Sequence, residues 1–192
     1  MKRIACALVL AAVAAGAAAQ APQRIRGTIT AVDGNVMAVK SREGKDLQLH
    51  LAPEVGVSTA KAATLADLKG KYVGVTAREK DGRLVAVEVH AIPPQAPSGH
   101  MKWDLEPGSS MTNANLDAVA RVTGGDEITM SYKGGSQKIL VPPGTPVVVF
   151  VPGSRADLKP GEYIFTIAQQ AADGKLAVQR VSVSKDGVKP PQ

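Results

Sequence analysis

The chain has 192 residues, a formal charge of +6, 44% apolar and 21% charged residues, and one cysteine, Cys6. That length holds one ordinary domain or two small ones, and the composition is that of a folding chain rather than a disordered one. A single cysteine excludes a disulfide scaffold and a four-thiolate zinc site.

Residues 1–19 read MKRIACALVLAAVAAGAAA. Lys2 and Arg3 precede an apolar run, and Ala17 and Ala19 give the small-x-small pattern ahead of Gln20. This predicts a secretory signal peptide cut after Ala19. Cleavage leaves 192 − 19 = 173 residues, a charge of 21 − 17 = +4 and no cysteine. The expected location is the periplasm or the outside of the cell, and no later segment has the length of a membrane span.

From Arg24 onward the chain reads as short strands. Ile25, Gly27, Ile29 and Ala31 alternate with Arg24, Arg26, Thr28 and Thr30, the period of a half-buried strand. Asp33-Gly34 predicts a hairpin turn into a second strand, Val36 to Lys40. Leu47, Leu49 and Leu51 share a face in a third strand that Pro53 is expected to end. Thr64 to Gly70, with a cap candidate at one end and glycine at the other, predicts one helical turn. Val73, Val75 and Ala77 mark a fourth strand. Asp81-Gly82 turns the chain, and Val85, Val87 and Val89 mark a fifth, with Glu88 and His90 on its other face.

The pattern then recurs. TLADLKGKYVGVTAREKDGRLVAVEV at 64–89 shares its skeleton with SRADLKPGEYIFTIAQQAADGKLAVQRV at 154–181. Leu51-Ala52-Pro53 matches Val141-Pro142-Pro143, and Val32-Asp33-Gly34 matches Val122-Thr123-Gly124, at an offset near 90 residues. The expectation is an all-β protein of two tandem five-stranded OB-like barrels, each with a short helical turn between strands three and four. Their expected bounds are 24–92 and 113–184. A connector at 93–112 separates them, read as irregular from its prolines, and a loose tail follows at 185–192.

Segments such as RGTITAVDGN, LADLKGKYVGVTA and DGRLVAVEV resemble a bacterial family of secreted and envelope domains of unknown function. The later WDLEPGSSMTNANLDAV and SYKGGSQKILVPPGTPVVVFVPGSRADLKPG resemble a proteobacterial group within it, often labelled metal ABC transporter permeases. The resemblance implies a small OB-like barrel. It implies no catalytic residues, and the permease label conflicts with a mature chain that has no membrane span.

The residues offer three chemistries. Copper or zinc could use His50, His90, His100, Met101 or Met111, since imidazole and thioether suit soft metals. No two histidines have a recognised ligand spacing. His50 and His90 read as solvated strand residues, which leaves His100 and Met101 as the candidate metal pair. Nucleic acid is not expected, because Tyr72 and Tyr163 read as packing residues and stacking aromatics are otherwise scarce. No hydrolase, metalloprotease or P-loop motif is present. Asp67 and Asp157 read as helix-cap partners, and Lys69 and Lys159 as surface charge.

The reading that remains is a non-enzymatic secreted or periplasmic binding or structural module without a cofactor, its partner an envelope protein or a small ligand. The alternative is a periplasmic copper- or zinc-handling protein. Trp103 is expected to be buried with Met101, Leu105 and Met111, pinning the connector to a barrel; Trp103 and Met111 are the candidate partner surface.

Overall fold

The alternating apolar positions become strands in the computed structural model, which describes residues 21–190. The predicted signal peptide lies outside the described residues. Strands β1 (Gln23–Asp33), β2 (Val36–Ser41) and β3 (Asp46–Ala62) are followed by helix α1 (Leu65–Leu68) and the hairpin β4 (Tyr72–Lys80) and β5 (Arg83–Ala91). After β6 (Gly99–Lys102) come β7 (Ser109–Val122), β8 (Gly125–Tyr132), β9 (Gly135–Val141) and β10 (Val147–Pro152). A single 3-10 turn (Arg155–Asp157) leads to the closing hairpin, β11 (Tyr163–Gln170) and β12 (Leu176–Val183).

The protein is all-β, and it contains a closed five-stranded barrel. The barrel is not built from one half of the chain. β1 pairs with β2 and β2 with β3, as the hairpin signals predict. The ring then closes through the far end of the sequence: β3 runs parallel to β12, β12 pairs with β11, and β11 pairs with β1. The strands β4 and β5, expected to complete the first barrel, pair instead with β7 and β9. A second ring of pairings, β4-β5-β9-β8-β7, results; its parallel β5–β9 contact is short, Leu84 opposite Ile139 and Val85 opposite Leu140.

The expectation of one self-contained barrel in 24–92 and another in 113–184 is therefore corrected. The physical reason lies in β3, which does not stop at Pro53. Pro53 has no N–H to donate, but it sits where no ladder bond is needed. Pairing with β2 ends at His50, pairing with β10 begins at Ser58, and the β12 register slips between Leu51 and Gly56. The strand thus runs on for 17 residues and carries the chain out of the first ring before α1 begins. There β3 lies antiparallel to β10, with Ala60 opposite Phe150, while β10 runs parallel to the end of β5.

Two apolar cores follow the two rings. Ile25, Ile29, Met37, Val39, Leu49 and Leu51 of the first three strands pack with Ile164, Val178, Val181 and Val183 of the last two. Val73, Val75 and Val89 pack with Leu116, Ile128, Met130 and Ile139. The repeated Ala-Asp-Leu-Lys segment places one leucine in each: Leu68 is in the second core and Leu158 in the first. The cap reading of the repeated aspartates holds. Asp67 accepts from the backbone N–H of Thr64, and Asp157 from that of Ser154, each at 2.8 Å. The Thr64 hydroxyl and then its backbone N–H hold the Asp67 carboxyl below the ordinary aspartate range, and the Ser154 backbone N–H and then Lys185 do the same for Asp157.

Turn chemistry is as predicted at Asp81-Gly82, where both residues take positive φ, +52° and +71°. Gly27 has a different role: a Cβ there would lie 2.3 Å from the Lys40 carbonyl, so only glycine allows this approach of β1 to β2. The tail departs from expectation. Lys185 and Val188 close a backbone turn, Lys185 Nζ lies 3.2 Å from Asp157, and Pro190 is buried.

Because each core takes side chains from both halves of the chain, neither half encloses a core of its own. Fragments 20–92 and 93–192, made separately, are expected to lack a cooperative thermal transition by circular dichroism, and to gain one on mixing. A cooperative transition in fragment 20–92 alone would contradict the crossed pairing.

Candidate functional site

Where the two rings meet, the strands leave a cleft of about 720 Å³. Its walls are the end of β3 (Ala62, Ala63), the middle of β5 (Val87, Glu88), the start of β10 (Val147, Val148), Leu105 and Glu106 of the connector, and the tail from Gly187 to Pro190. Such a volume falls in the range of roughly 300–1,000 Å³ of small-molecule sites.

A bulge aims β5 at the cleft. Thr76 is opposite Glu88 and Ala77 opposite Ala86, which leaves Val87 without a β4 partner. Ala86 and Val89 turn into the core, while the consecutive Val87 and Glu88 both reach the cleft. The predicted alternation of Val85, Val87 and Val89 fails here for that reason.

Glu88 is 6% exposed and its Oε1 accepts a hydrogen bond from Thr76 Oγ1 at 2.7 Å. It heads a row of direct cross-strand partners on one sheet face: Glu88, Thr76, Met111 and Met101. The neighbouring row is His90, Gly74, Asn113 and Gly99. Gly74 makes room for the imidazole, since a Cβ there would lie 2.8 Å from His90 Nε2. His90 is 8% exposed, stands edge-on to Phe150 and has its Nδ1 4.0 Å from Glu88 Oε1. Desolvation lowers its pKa to about 4, so it is neutral at pH 7. The sequence predicts a solvated strand residue at His90, and the structure buries it. The alternation puts it opposite the core, but Phe150 of β10 stands against the imidazole on that face.

The predicted metal pair does not converge. His100 and Met101 are successive residues of β6 and point to opposite faces. His100 Nδ1 lies 2.8 Å from Thr112 Oγ1, while Met101 faces Met111. His50 lies on β3, half-buried, opposite Val36. Among the described residues, no group of three or more His, Cys, Asp or Glu side chains is placed to hold a metal ion.

The connector is not irregular throughout, because β6 pairs with β7. Trp103 is half-buried, and the Arg24 guanidinium covers its ring at 4.1 Å, a contact of about 0.5–1 kcal/mol. The expected pinning of the connector is present, but through charge more than through an apolar patch. Asp104 takes Arg26 Nη2 at 2.7 Å and Arg24 Nη1 at 3.4 Å, and Arg42 donates to its carbonyl at 2.8 Å. Glu106 takes Arg78 Nε of β4 at 3.1 Å. The two carboxylates of Trp-Asp-Leu-Glu thus tie the connector to both rings. Burial raises the Asp104 carboxyl, but the Arg26 hydrogen bond and the Arg26 and Arg24 charges outweigh it, and the net pKa is below the ordinary value. Met111, the other candidate for a partner surface, is 3% exposed, with its sulfur 4.0 Å from Thr76 Oγ1.

Comparison with protein-family models, with curated proteins and with solved structures finds no match to this chain. Among the described residues no helix is long and apolar enough to cross a membrane.

Two outcomes follow from these contacts. His90 binds its proton less readily folded than unfolded, so its share of stability is complete above about pH 6.5 and is lost as pH falls toward 4. Between those limits the loss approaches about 1.4 kcal/mol per pH unit. Urea titrations of the wild type and His90→Gln over that window should show the excess acid loss only in the wild type; parallel curves would contradict a neutral buried imidazole. Arg26 is 3% exposed, so removing its partner strands a charge. Asp104→Ala is expected to cost about 1–2 kcal/mol, discounted for the exposure of Asp104. Arg26→Met should cost less, because it removes the buried charge as well. Thermal denaturation ranks the two variants.

Proposed function

We propose that the protein is a non-enzymatic binding module that acts after export, in the periplasm or outside the cell, and takes a small ligand in the cleft between its two rings. The cleft carries this reading: about 720 Å³, mostly apolar walls, and one buried carboxylate fixed by a hydrogen bond. Few polar groups placed among apolar walls is the usual construction of a small-molecule site. Export is supported by the basic start, apolar run and Ala17-x-Ala19 of the sequence, with Gln20 as the new amino terminus.

We further read both rings as OB-type barrels from a duplicated unit whose closing hairpins have been exchanged within one chain. The reading draws support from register. Leu176 opposite Leu49 in the first ring corresponds to Leu84 opposite Ile139 in the second, at offsets of 176 − 84 = 92 and 139 − 49 = 90. Ala60 and Phe150, also 150 − 60 = 90 apart, face each other where β3 crosses β10. That is the geometry expected when two equivalent hinge segments extend and pair during a swap.

The binding reading is tested with Nile red, a neutral apolar dye, titrated into the protein lacking residues 1–19. Saturable blue-shifted emission is expected, and Ala62→Trp, which fills the cleft from an exposed position, should weaken it at least tenfold. Absence of saturable binding, or binding indifferent to Ala62→Trp, would overturn the assignment to the cleft.

A further inference from the structure

The walls of the cleft differ in how they are held. β3, β5 and β10 are strands bonded to one another in the sheet, and the connector is tied by β6 and by the ion pairs of Asp104 and Glu106. The remaining wall, Gly187 to Pro190, belongs to the tail that follows β12. Ser184 fixes the base of this tail. Its backbone N–H donates to the Tyr163 carbonyl at 2.8 Å, and its hydroxyl accepts the Tyr163 N–H at 2.7 Å and donates to Glu162. Beyond Ser184 the backbone closes on itself: Lys185 and Val188 exchange two hydrogen bonds, of 3.0 and 2.9 Å, around Asp186-Gly187. Side chains lay this turn against the cleft. Lys185 Nζ sits 3.2 Å from Asp157, Lys189 Nζ lies 5.2 Å from the Tyr163 ring, Val188 is half-buried and Pro190 is buried.

From this we infer that the tail is a strap over the cleft, hinged after Ser184 and latched by Lys185 on Asp157, and that it gates entry of the ligand. The inference rests on the reading of the cleft as a binding site and concerns the regulation of that site. Swinging the strap away breaks no ladder bond, because the Lys185–Val188 turn travels with it. The latch is an ion pair whose lysine is half exposed, so salt screens it. An apolar ligand buries area against Val188 and Pro190 only when the strap is closed, so filling the cleft favours closure. Entry to the empty cleft depends on the fraction of molecules with the strap open, and weakening the latch raises that fraction.

Stopped-flow mixing with Nile red reads the gate in the protein lacking residues 1–19, since a neutral dye is not steered by the protein's charges. Association is expected to quicken by roughly twofold or more between about 0.01 and 1 M NaCl, over which the screening length falls from roughly 30 to 3 Å. Lys185→Met should associate faster at low salt and lose the salt dependence. A chain ended at Ser184 should associate about fivefold faster or more, because no segment has to move first. One association rate for all forms at all salt concentrations would keep the cleft as a binding site and overturn the strap. So would a shortened chain in which dissociation alone quickens, since that is the behaviour of a fixed wall. Failure of every form, wild type included, to bind the dye would overturn both readings. The salt series needs no variant, so the inference remains testable if a variant does not fold.

Discussion

Everything in this architecture depends on the parallel pairing of β3 with β12. Leu49 to Leu51 and Gly56 to Thr59 hold Leu176 to Val178 and Arg180 to Val183, so the amino-terminal meander is closed by the last strand of the chain. Without that pairing β3 has an open edge, Leu49 and Leu51 lose Val178, Val181 and Val183 as core partners, and β12 has no second neighbour beside β11. At about 3.3 Å per residue, the 17 residues of β3 span roughly 56 Å, far beyond the height of a small barrel. The excess length delivers α1 and the β4–β5 hairpin to the second ring. It also delivers the partner surface on which β10 crosses.

The proposed binding cleft is a by-product of the crossing. Two independent barrels on a linker would meet in a variable way. Here β3, β10 and β5 are adjacent strands of one sheet, so the cleft beside Glu88 has walls fixed by backbone hydrogen bonds. The connector adds a second tie, Asp104 to Arg24 and Arg26 on one side and Glu106 to Arg78 on the other. Leu105, between those carboxylates, becomes a wall of the cleft. The cost is kinetic: closing the first ring requires contacts between residues more than 120 positions apart, such as Ser58 and Ser182, and non-local pairing slows folding.

Much of the fold was legible in the sequence, and what was not has identifiable causes. Hairpin turns at Asp33-Gly34 and Asp81-Gly82, the capped turn at Thr64 and the apolar face of Leu47, Leu49 and Leu51 are local signals, and they hold. The partner of a strand edge is not local. The repeat told which segments are alike, and nothing in it distinguishes closing on the nearer hairpin from closing on the farther one. Pro53 pointed the wrong way because a proline ends a strand only where its missing N–H is needed. The cleft was legible only in part. Glu88 and His90 are on the expected face, but Phe150 beside the imidazole and the cleft walls around Glu88 come from distant parts of the chain. His100 and Met101 drew attention by residue type, and strand geometry sends them apart.

The crossed pairing behind the proposed exchange of hairpins can be tested directly at Ser58 and Ser182, whose hydroxyl oxygens lie 3.1 Å apart on β3 and β12. With Cys6 removed with the leader or replaced by serine, Ser58→Cys/Ser182→Cys places two thiols in the chain and no others. Crossed pairing predicts a monomeric intramolecular disulfide under mild oxidation. The loop it closes is long enough to raise stability by about 4–5 kcal/mol in the chain-entropy limit. A double variant that stays reduced, or oxidises only to dimers, would mean that β3 and β12 are not neighbours and that the chain folds as two barrels in sequence.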